Sequence, residues 1–139
     1  MIKILVIDGQ GGRIGSQLID AIRERIPDAE ITAVGTNSIA TANMLKSSPD
    51  YAATGENPVV VNAKRANVIA GPVGIVIADS LCGEVTPKMA KAVGQSGAAR
   101  VLIPVNRCDN MVAGVGDLPL TALIRDAVGL IEKAAVRPR

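Results

Sequence analysis

The chain has 139 residues, of which 48% are hydrophobic, 20% charged and 1% aromatic, with a net charge of +2. That is the size and balance of one domain with an aliphatic core, and the scarcity of aromatic faces argues against a base-stacking nucleic-acid surface. The complete absence of histidine excludes a Cys/His zinc site, every His-based triad and every His general base.

Cys82 and Cys108 lie far apart and form no CxxC pair. No apolar run is long enough to span a bilayer, and the N-terminus reads as a strand rather than a signal peptide. The expectation is a soluble, cytoplasmic protein forming a single domain over residues 1–139. The basic tail "KAAVRPR" reads as a solvated end.

In chain order, "IKILVI" (2–7) is a continuous apolar run, the pattern of a strand covered on both faces. Ile14, Leu18, Ile19, Ile22 and Ile26 follow at helical spacing, and Pro27-Asp28 closes that helix. "EITAV" (30–34) reads as a second strand. Asn37 or Ser38 is placed to cap a helix running to about Lys46. Residues 49–57 read as irregular. "PVVVN" (58–62) is expected to be a third strand and "NVIAG" (67–71) a fourth.

"PVGIVIADSLCGE" (72–84) is ambiguous between strand and buried helix. Thr86-Pro87 reads as an N-cap with proline at the first helical position, opening a helix to about Gln95. "RVLIPVN" (100–106) is a fifth strand, with Pro104 hinting at a sheet edge. "MVAGV" (111–115) is read as a short sixth strand paired with it across "RCDN". Leu120, Leu123, Ile124, Ala127 and Ile131 mark a last amphipathic helix to about Ala135. Strands alternate with helices. The expected fold is α/β, a single three-layer Rossmann-like domain with a mostly parallel sheet of about five or six strands and helices on both faces.

Four glycines fall within seven positions in "GQGGRIG" (9–15), between the first strand and the first helix. Glycine permits φ > 0 and close approach of a ligand to the backbone, and the following helix aims free N–H groups and its positive end at the crevice. Position 14 is Ile, so the spacing is not GxGxxG. Gly9, Gly12 and Gly15 instead occupy first, fourth and seventh places, with Gly15 placed for close packing of helix on strand. The stretch reads either as a phosphate cradle, formed by Gly9, Gln10, Gly11, Gly12, Arg13 and Ile14, or as a tight structural turn. Asp8 reads as a cap for that turn through its own backbone. No acid ends the second strand to hold a ribose. Thr36, Asn37 and Ser38 stand there instead, as hydrogen bonders to a ribose or a 2′-phosphate or as a helix cap.

"GQGGRIGSQLIDA" resembles the nucleotide loop of dihydrodipicolinate reductase over Gly9, Gly11, Gly12, Arg13 and Gly15. The resemblance implies that the loop holds NAD(P)H, with Arg13 near the cofactor phosphates. That family's catalytic histidines and substrate domain have no counterpart in this chain. Over nearly its full length the chain also resembles a family of small bacterial proteins of unknown function. "IDGQGGRIG", "GTNSIATANMLK", "ATGENPVVVNA", "NVIAGPVGIVIADSLCGEVTP" and "LIPVNRC" carry that resemblance, which implies a Rossmann-like fold and no established activity.

The expected strand ends add Gly71 and Pro72 to the cofactor rim. They also offer Asn62, Asn106 and Arg107 as substrate-binding groups on that rim. Asp79 and Glu84 read as a carboxylate pair or, for Glu84, as a solvated loop residue. Thr86 reads as a cap and Cys82 as a buried inert thiol. The only tyrosine, Tyr51, is followed four residues on by Gly55, which excludes a Tyr-x-x-x-Lys dehydrogenase site. The reading is a nucleotide- or dinucleotide-binding sensor or regulatory module, with NAD(P) or another nucleotide as ligand and no metal. Its alternatives are a small NAD(P)-dependent enzyme completed across a homodimer, and a non-catalytic scaffold. A homodimer is expected from the apolar, charge-poor segment 68–86. No nucleic acid or membrane partner is expected.

Overall fold

The computed structural model describes residues 1–105 and 110–136. Five strands form one parallel sheet: β1 (Lys3–Asp8), β2 (Glu30–Gly35), β3 (Tyr51–Thr54), β4 (Val68–Pro72) and β5 (Ala99–Ile103). Their order is β3-β2-β1-β4-β5, so the strand order reverses between β1 and β4. Helices α1 (Arg13–Arg25), α2 (Ser38–Leu45) and α5 (Leu120–Ala135) pack on one face, and α3 (Glu56–Ala63) and α4 (Pro87–Gly94) on the other.

The alternation of β1 builds both cores. Ile4 and Val6 point to the α1 and α5 side with Leu18, Ile22, Ile124 and Ile131. Leu5 and Ile7 point to the α3 and α4 side with Val59, Ile69, Met89 and Val93. Each fully buried aliphatic side chain contributes about 1.5–3 kcal/mol, so the strand is fixed from both faces. Asn37 caps α2 by accepting from the Ala40 N–H, and Thr86 caps α4 by accepting from the Met89 N–H, with Pro87 first in the helix.

Two of the expected strands are corrected. "PVVVN" is part of α3, and the third strand is Tyr51–Thr54, inside the segment read as irregular. β-branched valines favour a strand by propensity alone. Here Pro58 sits in the first helical turn, where it loses no hydrogen bond, and Val59 and Ala63 are buried one helical turn apart. A parallel crossover also needs about a dozen residues, which four residues between 62 and 67 do not supply. The segment 111–115 forms no strand. It turns at Ala113-Gly114, with Gly114 at φ +82, on the way from the edge strand β5 back to α5. β5 itself stops at Ile103, because Pro104 has no N–H to continue it and Val105 turns back to the Ile103 carbonyl.

Residues 72–84 resolve into a 3₁₀ turn (Val73–Val76) followed by a looped segment closed by a 2.7 Å bond from Asp79 N–H to the Val85 carbonyl. The apolar side chains of 68–86 divide between the core and the surface. Ile69, Ile75, Leu81 and Val85 are buried in the chain's own core, while Val73, Val76 and Ile77 are half-buried. Among the described residues no helix is long and apolar enough to cross a membrane.

Candidate functional site

The reversal of strand order brings the loops after β1 and β4 together at the carboxyl rim of the sheet, where open α/β sheets hold ligands. The glycine loop follows β1 there. Three of its glycines are explained by internal packing. A Cβ on Gly9 would lie 2.5 Å from Thr36 Oγ1 and 2.9 Å from Glu84 Oε1. One on Gly12 would lie 2.5 Å from the Ala40 carbonyl oxygen, and Gly12 also holds φ +72. One on Gly15 would strike Met44 Sδ and Asp8 Cβ, so α1 lies close on β1 and α2 as its glycine suggested. Gly11 differs, since a Cβ there meets nothing within 4 Å.

Asp8 caps the loop from beneath. Its carboxylate accepts the Gly9 N–H at 2.8 Å and the Gly15 N–H at 2.7 Å. Burial pushes its carboxyl above the ordinary value, against the pull of the Gly15, Gly9 and Ile14 amides, and the charge of Glu84 adds to the push. The Gly12 N–H closes a turn onto the Gly9 carbonyl at 2.9 Å. The N–H groups of Gly11 and Arg13 find no acceptor among the described residues. They stand at the head of α1 beside the exposed Arg13 side chain.

Glu84 completes the rim, where it is half-buried rather than solvated. Its Oε1 accepts from the Gln10 N–H at 2.9 Å, the Thr36 hydroxyl at 2.7 Å and the Asn37 amide at 2.7 Å. Desolvation pushes this carboxyl up, but the three hydrogen bonds outweigh it and hold the group below its ordinary value. Asn37 also donates to the Gln10 carbonyl at 3.0 Å, and Asn43 of α2 donates to the Gly11 carbonyl. The clue to Glu84 was topological. The crevice is walled by the loops of both switch strands, and Glu84 is an acid in the loop after β4. Asn43 carried no signal beyond its place on α2.

The other expected site residues divide. Gln10, Thr36 and Asn37 meet at the rim as described. Ser38 opens α2 beside them and is exposed. The side chain of Ile14 belongs to the α1 core, so only its backbone faces the loop. Gly71 and Pro72 end β4 at the switch but are buried, and Gly71 is glycine because a Cβ would strike the Ile7 carbonyl. Asn62 is not on this rim. It lies on α3, donates to the Pro58 carbonyl at 2.8 Å, and faces a cleft at the amino ends of the strands. Asn106 and Arg107 lie outside the described residues.

Asp79 is exposed, whereas Glu84 turns in to the Gln10, Thr36 and Asn37 donors, and its charge bears on Asp8. Thr86 is a cap and also donates to Glu56 Oε2 at 2.6 Å. Cys82 is exposed rather than buried, because the left-handed turn that drives Leu81 inward turns Cys82 out. No cluster of metal-ligating side chains occurs among the described residues.

The space against the glycine loop is about 70 Å³, bounded by Asp8 to Ile14 and Leu81. That admits one phosphate group against the free amides. It does not enclose a dinucleotide, since clefts that bury ligands of that size run to about 300–1,000 Å³.

A dodecameric FMN-dependent UbiX-like decarboxylase from Escherichia coli O157:H7 is similar in structure, at 15% identity over 96% of this chain and 92% of that one, with a TM-score of 0.47. At that score the likeness carries no argument about function. No curated protein matches the chain. Residues 3–136 match the model of a domain family of unknown function, DUF3842, and the chain belongs to that family.

Proposed function

We propose that the protein binds a nucleotide by one phosphate at the glycine loop and works as a sensor or regulatory module. The observation that carries this reading is the pair of amides, Gly11 and Arg13, that find no acceptor among the described residues, at the head of α1 on the switch-point rim. Free N–H groups and the positive end of a helix favour an anion. The Arg13 guanidinium is exposed and makes no ion pair among the described residues, so it adds a charged donor at the same place. The sugar and base would lie outside the small space, along Gln10, Thr36, Asn37 and Ser38. The absence of histidine and the mutual pairing of the rim's polar side chains favour binding over catalysis. Glu84 bonds the glycine loop to the 79–85 loop, which gives an occupant of one a path to the other.

A second reading, a small NAD(P)-dependent enzyme completed across a homodimer, is favoured by the shallowness of the site. A space of about 70 Å³ leaves a nicotinamide uncovered unless another copy supplies a wall.

The test is a thermal-shift panel of NAD, NADH, NADP, NADPH, FAD, ATP, GTP, S-adenosylmethionine and coenzyme A on wild type and Gly11→Asp. The aspartate enters open space at a residue without a left-handed φ, so the variant keeps its fold while placing a carboxylate where the phosphate lies. At a hundredfold excess over Kd a ligand adds about 2.7 kcal/mol, which is several degrees for a domain of this size. The expected result is a shift with a nucleotide in wild type that Gly11→Asp abolishes without lowering the unliganded Tm. No shift with any of these ligands would leave the glycine loop a structural turn. Redox turnover with a nicotinamide cofactor would move the function to the second reading.

A further inference from the structure

We propose that Glu84 is the hydroxyl-binding residue of this site, which makes the ligand a nucleoside phosphate with a free ribose diol and excludes one carrying a 2′-phosphate. The inference rests on the phosphate reading above and adds the part of the ligand that the phosphate does not define.

In a doubly wound sheet the ribose lies at the carboxyl end of the second strand, where a carboxylate receives its hydroxyls. Here β2 ends at Gly35, and Thr36-Asn37-Ser38 supplies no acid. The 79–85 loop brings one to that point in space. Glu84 Oε1 is fixed by the Thr36 hydroxyl, the Asn37 amide and the Gln10 N–H, at 2.7, 2.7 and 2.9 Å. Glu84 Oε2 accepts no hydrogen bond among the described residues and is not sealed in the core. One oxygen is therefore clamped and the other is a vacant acceptor. A carboxylate in that state receives hydroxyl donors.

Charge decides between a diol and a phosphate. The two ion pairs among the described residues are Arg23–Asp50 and Arg25–Glu132, and neither involves Glu84. A 2′-phosphate would meet that uncompensated carboxylate and be repelled.

The loop's backbone agrees with a placed rather than a free side chain. Asp79, Leu81 and Cys82 hold φ of +66, +55 and +56, and Gly83 +85. Such conformations persist where surrounding contacts over-determine them. Here Leu81 is buried, Ser80 bonds the Gly74 carbonyl, and Val85 N–H returns to the Ser80 carbonyl at 3.2 Å. A competing idea is that Glu84 is a plug which an incoming phosphate displaces. The three donors on Oε1 argue against it, because the incoming anion would first have to break all of them.

The test is calorimetric titration of wild type, Glu84→Gln and Gly11→Asp with inorganic pyrophosphate, ADP, 2′,3′-dideoxy-ADP and 2′-phospho-ADP. Gln can still accept on Oε1 but places a donor where Oε2 was. Wild type is expected to bind ADP about tenfold tighter than dideoxy-ADP or 2′-phospho-ADP. Glu84→Gln is expected to bring ADP to the dideoxy level, to improve 2′-phospho-ADP, and to leave pyrophosphate within about twofold.

Equal binding of ADP and dideoxy-ADP in wild type overturns this inference, and so does a Glu84→Gln protein that gains tenfold for pyrophosphate. Both outcomes leave the phosphate reading standing as long as Gly11→Asp abolishes pyrophosphate binding. If pyrophosphate and ADP fail to bind wild type, or bind Gly11→Asp equally well, the phosphate reading falls and this inference falls with it.

Discussion

The two ends of the sheet hold opposite kinds of space. At the carboxyl rim the opening is about 70 Å³, and Asp8, Thr36, Asn37 and Glu84 are tied to one another and to the loop backbone. At the amino end a cleft of about 430 Å³ opens over β1, β2 and β3, lined among others by Lys3, Glu30, Thr32, Tyr51, Asn62 and Arg65. Volume favours the second. Yet the side chains of Lys3, Glu30, Thr32, Tyr51 and Arg65 bond nothing among the described residues, and Asn62 bonds only its own helix. That cleft lies over the sheet beside α3, which packs mainly on α4 and more lightly on β1 and β2.

Backbone conformation separates the two ends further. Of the five non-glycine residues at positive φ among the described residues, four (Gln10, Asp79, Leu81 and Cys82) surround the carboxyl rim. Strain collects where the fold holds a chosen arrangement, and a gap between elements needs none. The smaller space is the built one.

The largest expected effect breaks or supports the division within the glycine loop. Gly12→Ala puts a Cβ at φ +72 and 2.5 Å from the Ala40 carbonyl oxygen, so α1 and α2 must separate. Left-handed strain of about 1–2 kcal/mol and overpacking of about 1–3 kcal/mol together predict a loss near 3 kcal/mol in urea denaturation. Gly11→Ala enters open space and is expected within about 0.5 kcal/mol of wild type. A Gly11→Ala protein as unstable as Gly12→Ala would mean that Gly11 is structural too, and the phosphate site would lose its opening.

The next effect concerns the clamp on Glu84. Glu84→Ala removes the acceptor shared by Gln10, Thr36 and Asn37 and is expected to destabilise by about 2 kcal/mol. The pH dependence gives the finer reading. The Glu84 carboxyl is held below its ordinary value in the folded state, so its stabilising contribution is full above the unfolded value of about 4.3. It is lost as pH falls through the lower, folded value. Asp8 is shifted upward and acts the other way, its folded form taking a proton first as the solution is acidified. Asp8 is present in both wild type and Glu84→Gln, so its burial and its amide bonds cancel in the difference, which leaves position 84 and the smaller push of the Glu84 charge on Asp8. The stability gap at pH 7 should narrow as pH falls below the unfolded value of about 4.3 and through the lower, folded one. A gap independent of pH would mean that Glu84 is an ordinary solvated acid.

These tests bear on residues that differed in how well the sequence announced them. The glycine turn, the Asp8 cap, the Asn37 and Thr86 caps and the order of β1, α1 and β2 were legible, because each depends on neighbours within a few residues. Strand β3 was hidden because "YAAT" is short, half-exposed and small, with little hydrophobic alternation to detect. Helix α3 was mistaken because three valines outweighed Pro58 and the Val59–Ala63 spacing, and that error carried Asn62 to the wrong end of the sheet. Glu84 was misread because its partners lie 74, 48 and 47 residues away, at Gln10, Thr36 and Asn37. A contact of that span leaves no local pattern. Only the topology, with β1 beside β4, places it.

The smallest expected effect is at the amino-end cleft, and it is the sharpest check on the comparison. Tyr51 is the one aromatic ring of the chain, stands at the start of an edge strand and is 62% exposed, and Arg65 is exposed beside the same cleft. Tyr51→Ala and Arg65→Ala remove side chains that bond nothing and bury little, so each should stay within about 0.5 kcal/mol of wild type. Each should also leave any nucleotide-induced thermal shift unchanged, since the cleft lies at the opposite end of the strands from Gly11 and Arg13. A shift abolished by Tyr51→Ala and untouched by Gly11→Asp would reverse the assignment. The larger cleft would then hold the ligand, with the tyrosine ring against its base and Lys3 or Arg65 on its phosphate, and the tied carboxylates of the rim would be structure alone.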